Sequence, residues 1–140
     1  MEQTLAIIKP DGVKNAISII DMLYKNDLKI QAYQVKKLNK ELLSEHYSHL
    51  VDKPFYPELE EYMLSGEVIL LILEGENAVE KLRVLMGPTN SSLAEKGTIR
   101  GEFGTDITRN AIHGSDSIEN AKIEIERFFD NPLKKEYKNN

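Results

Sequence analysis

Apolar and polar positions divide the chain into short runs separated by turn residues. Thr4 to Ile8 is a β-rich run that stops at Lys9-Pro10-Asp11-Gly12, where proline, aspartate and glycine supply turn chemistry. It predicts a buried first strand ending in a loop. Ile17, Ile20, Met22, Leu23 and Tyr24 are too dense for a surface strand and fit a helix with a wide apolar face, closed by Asn26-Asp27. Ile30 to Leu38 alternates imperfectly and predicts a second strand. Asn39 follows as a helix cap, and helical spacing resumes at Leu42, Leu43, His46 and Tyr47. Lys53-Pro54-Phe55-Tyr56-Pro57 breaks that helix, because proline lacks a donor and clashes in helix interiors. A short helix is expected from Glu58 to Leu64.

Val68 to Leu73 is a continuous apolar run of strand length and predicts the most buried strand. Asn77 and Glu80 have capping-box spacing and open a helix that runs through Leu85 and stops at Gly87-Pro88. Thr89 to Arg109 shows no sustained periodicity. Loops of that length in compact domains are usually functional or disordered, so this one is a candidate site element. A short run at Ala111-Ile112 follows. Ser117 then caps a last helix with Ile118, Ala121, Ile125 and Phe128 on one stripe, and Lys134 to Asn140 reads as a solvated tail. The element order contains two split β-α-β units. It predicts a single domain over residues 1–140, an α+β ferredoxin-like sandwich with helices packed on a four-stranded antiparallel sheet.

Composition narrows the function classes. At 140 residues, the chain is long enough to bury roughly two-thirds of the surface its unfolded form exposes. With 41% hydrophobic and 29% charged residues, it is too apolar for intrinsic disorder. No apolar run approaches the ~20 residues that span a bilayer, and the start lacks signal-peptide character. A cytoplasmic protein is therefore expected. The absence of cysteine excludes disulfides, thiolate zinc sites and cysteine catalysis. A net charge of −5 makes nucleic acid an unexpected partner, since polyanion affinity comes mainly from Lys and Arg.

Neither a Gly-x-x-x-x-Gly-Lys-Ser/Thr loop nor a Gly-x-Gly-x-x-Gly turn is present, so a phosphate site would need side chains. The candidates are Lys9 after the first strand, Arg83, Thr89 and Arg100 around the long loop, and Asn110 beyond it. Taken singly, such residues are more often solvated surface groups. His46 and His49 have helical i, i+3 spacing without an obvious third ligand and read as a surface pair. Asn110 to Ser117 is the most informative segment. His113 at a strand end, before Gly114 and a Ser/Asp-rich helix start, has room for a phosphoryl group, and imidazole is a competent nucleophile near neutral pH. A capping region holding a hydrogen-bonded histidine is the plainer reading of the same residues.

That segment, Asn-Ala-Ile-His-Gly-Ser-Asp-Ser, resembles the signature Asn-x-x-His-Gly-Ser-Asp-Ser of the nucleoside diphosphate kinases. The similarity covers nearly the whole chain. It includes the opening from Thr4 to Val13, His46-Tyr47, Lys53-Pro54-Phe55-Tyr56, Ser65-Gly66, Leu85 to Asn90 and Gly97 to Gly101, all in order. The resemblance implies a ping-pong transfer of the γ-phosphate from a nucleoside triphosphate to a diphosphate, with His113 as nucleophile. It implies phosphate contacts from Lys9, Arg83, Thr89 and Arg100, with Tyr47 beside the transferring phosphate. Asn110 matches the contact to the sugar 3′-hydroxyl and Phe55 the aromatic that stacks on the base, a mode tolerant of every base. For Tyr47 and Phe55, core packing is the plainer alternative. Glu124 and Ser115 match positions that fix the histidine ring. Asp116 matches a carboxylate near Mg²⁺, an ion that would accompany the nucleotide phosphates with few or no direct protein ligands.

The resemblance further implies a homo-oligomer, a hexamer or tetramer built from dimers. Two departures bear on it. Lys14 to Ser18 is two residues shorter than the family's usual two-glycine segment, near a surface where subunits could meet. Ser91 stands where the family's long loop carries proline, with the loss of a fixed backbone angle. The tail lacks the longer C-terminal extension of many eukaryotic members, so a bacterial or viral type is expected. The competing reading is a catalytically weak nucleotide-binding regulatory module on the same fold, since fold alone does not fix function.

Overall fold

The computed structural model describes residues 1–130, so the solvated tail expected from Lys134 lies outside the described residues. The chain forms β1 (Glu2–Ile8), α1 (Ala16–Lys25), β2 (Lys29–Lys36), α2 (Lys40–His46), α3 (Tyr56–Met63), β3 (Val68–Gly75), α4 (Ala78–Met86), α5 (Ile99–Phe103), β4 (Ile112–Gly114) and α6 (Ile118–Ile125). A wide helical turn, Glu126–Asp130, extends α6. The four strands make one sheet in the order β2-β3-β1-β4, with every pair antiparallel. This is the ferredoxin-like arrangement, with both β-α-β crossovers in place.

Both faces of the sheet are covered, and side-chain alternation separates them. Ala6, Ile8, Leu71 and Leu73 pack with Ile19, Leu23 and Leu82 of α1 and α4. Leu5, Ile7 and Leu70 pack on the other face with Leu43, Met63 and Phe128, from α2, α3 and the turn after α6. Two covered faces explain why Val68 to Leu73 is apolar throughout rather than alternating. The alternation in β2 is imperfect because its pairing with β3 shifts register between Ile30 and Ala32.

Helix starts follow the expected caps at two places. Asn39 accepts from the Leu42 amide and Ser117 from the Asn120 amide. The box at Asn77 does not form. Asn77 is left-handed, with φ 50°, and has no side-chain cap bond; Glu2 of β1 instead accepts from the Val79 amide at 2.7 Å. Three apolar positions also differ from their predicted burial. Ile17 and Tyr24 on α1 and Ile118 on α6 are exposed, so the buried stripes are narrower than the sequence suggested.

The segment from Thr89 to Arg109 carries a 3-10 turn at Ser91–Leu93 as well as α5, capped by Thr98 through the Gly101 amide. Ser91, at the family's proline position, donates its backbone N–H to the Asp106 carbonyl at 3.3 Å, a bond proline cannot make. The loop is therefore stitched to itself. At the shortened segment, a 3-10 turn over Val13–Asn15 runs directly into α1.

Candidate active site

The site is built around the end of β4. Ile8 faces Ile112 and Ile7 faces His113 across the β1–β4 ladder. Since Ile112 points into the α1/α4 core, alternation sends His113 to the face covered by α2 and α6. There its Nε2 lies 2.9 Å from Glu124 Oε1, which also accepts the Ser115 hydroxyl at 2.7 Å. Burial raises the carboxyl pKa of Glu124, but the bonds from His113 and Ser115 outweigh burial and hold it below the usual range. An ionised carboxylate only accepts. Nε2 must then carry the ring proton, and Nδ1 keeps its lone pair.

Cations gather around the segment leading into His113. Lys9 is 6% exposed and donates from Nζ to Asn110 Oδ1 at 2.8 Å. Arg100 donates to the carbonyls of Gly87 and Ile112 at 3.0 and 2.8 Å, while its buried Nε has no partner. Arg83 donates to the Asp116 carbonyl at 3.2 Å. Burial first, then the proximity of Arg100, lowers the Lys9 pKa to about 8, against an opposing pull from Asp11. Burial, then Arg83, lowers Arg100 to about 10. None of the ion pairs among the described residues includes Lys9, Arg83 or Arg100. Arg100 acts on Lys9 and Arg83 acts on Arg100, and none of the three is in an ion pair, so this end of the sheet carries a local excess of positive charge that an anion can offset.

The other sequence-predicted residues take different positions around this centre. Asn110 is buried and tied by its amide to the Thr89 and Ile107 carbonyls at 2.9 and 3.2 Å. The Thr89 side chain is exposed beside it. Tyr47 is half-buried, and its hydroxyl pKa is raised to about 12 by burial and then by Glu124. Phe55 is 53% exposed, so core packing does not explain it; its neighbour Tyr56 meets Tyr47 edge-on at 6.4 Å. Asp116 is exposed, with Oδ1 bound by the Asn120 amide at 2.5 Å.

The sequence reading needs one correction and several additions. His46 is not half of a surface pair. It is 7% exposed, its ring meets that of His113 at 4.8 Å and 84°, and its Nδ1 lies 2.9 Å from an Arg127 nitrogen, while His49 is exposed. The i, i+3 spacing from the apolar Leu43 was the available signal, because it puts His46 on the inner face of α2. Asp11 was read only as a turn residue. Its carboxylate accepts from the Ala111 amide at 3.1 Å and from the Tyr62 hydroxyl, and the Arg109 guanidinium lies 5.4 Å above the Tyr62 ring. Ala111 has φ 72°, a left-handed backbone that this clamp maintains two residues before His113.

The nucleoside diphosphate kinase family model matches residues 2–133. A nucleoside diphosphate kinase of Campylobacter jejuni is 51% identical over 131 residues, covering 92% of this chain and 96% of that protein. One from a Wolbachia of Drosophila simulans is 50% identical over 131 residues, with 92% and 94% covered. Among solved structures, the apo nucleoside diphosphate kinase of Encephalitozoon cuniculi has a TM-score of 0.88 at 40% identity, covering 92% of this chain and 89% of that one. The Halobacterium salinarum enzyme in complex with CDP has a TM-score of 0.88 at 38% identity, covering 94% and 89%.

Fold and sequence together thus define a phosphotransferase acting on nucleotides. The chain belongs to the nucleoside diphosphate kinase family, and its activity is that of a nucleoside diphosphate kinase. The family uses a divalent metal ion. Among the described residues, no helix is long and apolar enough to cross a membrane.

Proposed function

We propose that His113 is the nucleophile of a ping-pong transfer from nucleoside triphosphate to nucleoside diphosphate. The observation that carries this is the His113 ring, with Nε2 committed to Glu124, Nδ1 left with its lone pair, and Lys9 and Arg100 bonded to Asn110 and Ile112 of the segment that leads into it. Nδ1 attacks the γ-phosphorus as the bond to the β,γ-bridging oxygen breaks, and the diphosphate departs. A terminal oxygen of the acceptor diphosphate then attacks the same phosphorus, and the P–N bond breaks. Lys9 and Arg100 stabilise charge on the transferring group, Arg83 and Thr89 hold the remaining phosphates, and Tyr47 donates its hydroxyl nearby. Tyr47 stays protonated for that task because its pKa lies near 12. Asn110 binds the sugar 3′-hydroxyl, and exposed Phe55 stacks on any base. Ser115 and Glu124 hold the ring.

The divalent ion we infer is Mg²⁺. One exposed carboxylate, Asp116, already half engaged by Asn120, suits an ion that arrives on the nucleotide phosphates and keeps its waters. When bound, it supplies further neutralisation of phosphate charge. Residues 1–140 act as one domain, a reading supported by a single sheet that serves both cores. We also infer a homo-oligomer of dimers, tetramer or hexamer. Tyr33 and Val35 are exposed on β2, an edge strand, and Ile17 and Tyr24 are exposed on α1, more apolar surface than an isolated edge comfortably presents to water. A cytoplasmic location fits these substrates and a chain without cysteine.

The test is incubation with Mg²⁺ and γ-labelled nucleoside triphosphate. Acid-labile, base-stable label on wild type that a nucleoside diphosphate removes, and none on His113→Ala, is the expected result. His113→Ala should still bind nucleotide, because the cations and Phe55 remain. Absence of label on folded wild type would overturn the nucleophile and favour a nucleotide-binding regulatory module.

A further inference from the structure

The buried histidine of α2 is tied to the end of the described chain in a way the reaction scheme does not use. Arg127, in the turn after α6, donates from Nε to Glu45 at 3.1 Å, and its Nη1 lies 2.9 Å from His46 Nδ1. His46 in turn meets the His113 ring at right angles and packs edge-on against Phe128 and Tyr47 at 5.1 and 4.7 Å. A guanidinium has donors only and stays charged, so His46 Nδ1 must be the acceptor and its proton must sit on Nε2.

We propose that Arg127 is a positioning residue for the transfer: by donating to His46 Nδ1, it holds His46 as a neutral wall that keeps the His113 ring turned toward Glu124. The proposal rests on the reading of His113 as nucleophile. A wall of this kind has to stay uncharged, because an imidazolium here would compete with His113 for the Glu124 carboxylate. Charged and titratable groups face His46 from each neighbouring element: His113 on β4, Glu124 on α6, Arg127 in the following turn, Lys9 after β1, and Glu45 and Tyr47 on its own segment. Burial first, then His113, lowers its pKa to about 3, with Glu124 opposing.

The same geometry brings ligating atoms of His46, His113 and Glu124 within 4.8 Å of one another, the spacing of a metal triad. Charge argues against that use. Arg127 already occupies one His46 nitrogen, and both Arg127 and Lys9 act on the ring, so a dication would enter a cationic surround with one carboxylate for compensation.

The experiment is ¹⁵N spectroscopy of histidine-labelled protein, wild type and Arg127→Met, alongside steady-state kinetics. In wild type, His46 should show an unprotonated Nδ1, a protonated Nε2 and no titration between about pH 5 and pH 8. Arg127→Met should mix the His46 tautomers and lower kcat roughly tenfold with KM within about twofold, since misplacing a reactive ring acts on the chemical step. Arg127→Lys, which restores a donor, should recover most of kcat. A wild-type His46 protonated at Nδ1, or titrating in that range, overturns the proposal even if the variants fail to fold. An unaltered tautomer and kcat in folded Arg127→Met also overturns it. Because the tautomer is read without turnover, a failure of the phosphohistidine reading would show separately, as absent label.

Discussion

Glu124 Oε1 accepts from two groups of the signature segment at once, His113 Nε2 at 2.9 Å and the Ser115 hydroxyl at 2.7 Å. One carboxylate oxygen thereby fixes both the tautomer and the plane of the ring. Glu124→Gln removes the charge and offers an amide that can donate back, so the ring loses its reason to keep the proton on Nε2. The expected result is a fall in kcat on the order of 10–100-fold with little change in KM, the range seen when partners that orient a reactive imidazole are lost. Coupled steady-state kinetics checks it, and an equal effect on KM would mean that Glu124 serves binding instead.

Lys9 makes nucleotide binding dependent on pH. Its folded pKa, lowered to about 8 from 10.5 chiefly by burial, means that an incoming phosphate both binds the charged form and favours it. Binding should take up a proton near pH 8, and affinity should fall as pH rises past that point. In the absence of ligand the sign reverses. The unfolded chain holds the proton that the folded pocket sheds, so stability rises with pH between about 8 and 10.5. Calorimetric titration of a nucleoside diphosphate in buffers of different ionisation enthalpy checks the first part. Affinity that is flat across that range, with no proton uptake, would remove Lys9 from the phosphate site.

Gly12 is required by contact rather than by dihedral freedom. A Cβ there would meet the Ala111 carbonyl oxygen at 2.4 Å and Ile8 Cγ2 at 3.1 Å. That carbonyl already accepts the Lys9 amide at 2.8 Å, so it cannot retreat without releasing the loop that carries Lys9. Gly12→Ala should cost about 1–3 kcal/mol of stability, as overpacked buried contacts do, visible as a lower urea midpoint at unchanged slope. An unchanged midpoint would mean the loop moves freely, and Lys9 would then be less preorganised than its contacts indicate.

Much of the fold was legible from local signals, namely the two buried strands and the Asn39 and Ser117 caps; the proline segment does lie between α2 and α3, but α2 already ends at His46 and Pro57 sits in the first turn of α3. What escaped depends on partners distant in sequence. The Val79 amide is capped by Glu2 from another strand, and no local spacing predicts that exchange for Asn77. Helix α5 spans five residues, too few to show a period. The same division runs through the site. The residues themselves nominated Lys9 and His113, the resemblance added Glu124, and the structure ties each into the contacts around β4. Asp11 and His46 had ordinary readings as a turn residue and a surface histidine, Arg127 carried no signal of its own, and only the tertiary fold gives each a partner near His113.

The clamp on Ala111 can be separated from simple stability by two substitutions on one network. Asp11 accepts from the Ala111 amide at 3.1 Å and from the Tyr62 hydroxyl, while Tyr62 contributes nothing to Ala111 directly. Asp11→Ala frees the left-handed residue at φ 72°, and the strand entering His113 loses its fixed approach. Tyr62→Phe removes the bond its hydroxyl donates to Asp11 and the one it accepts from the Asp11 amide, and leaves the clamp. Each should lower stability by about 1–3 kcal/mol, the range for hydrogen bonds to a charged group. Their kinetics should diverge: Asp11→Ala should reduce kcat roughly tenfold or more, because a small misplacement of a reactive group is costly, and Tyr62→Phe should stay within about twofold of wild type. Urea unfolding and kinetics on both variants decide it. If equal losses of stability came with equal losses of kcat, Asp11 would be a structural residue only, and the strained Ala111 would have no part in aiming His113.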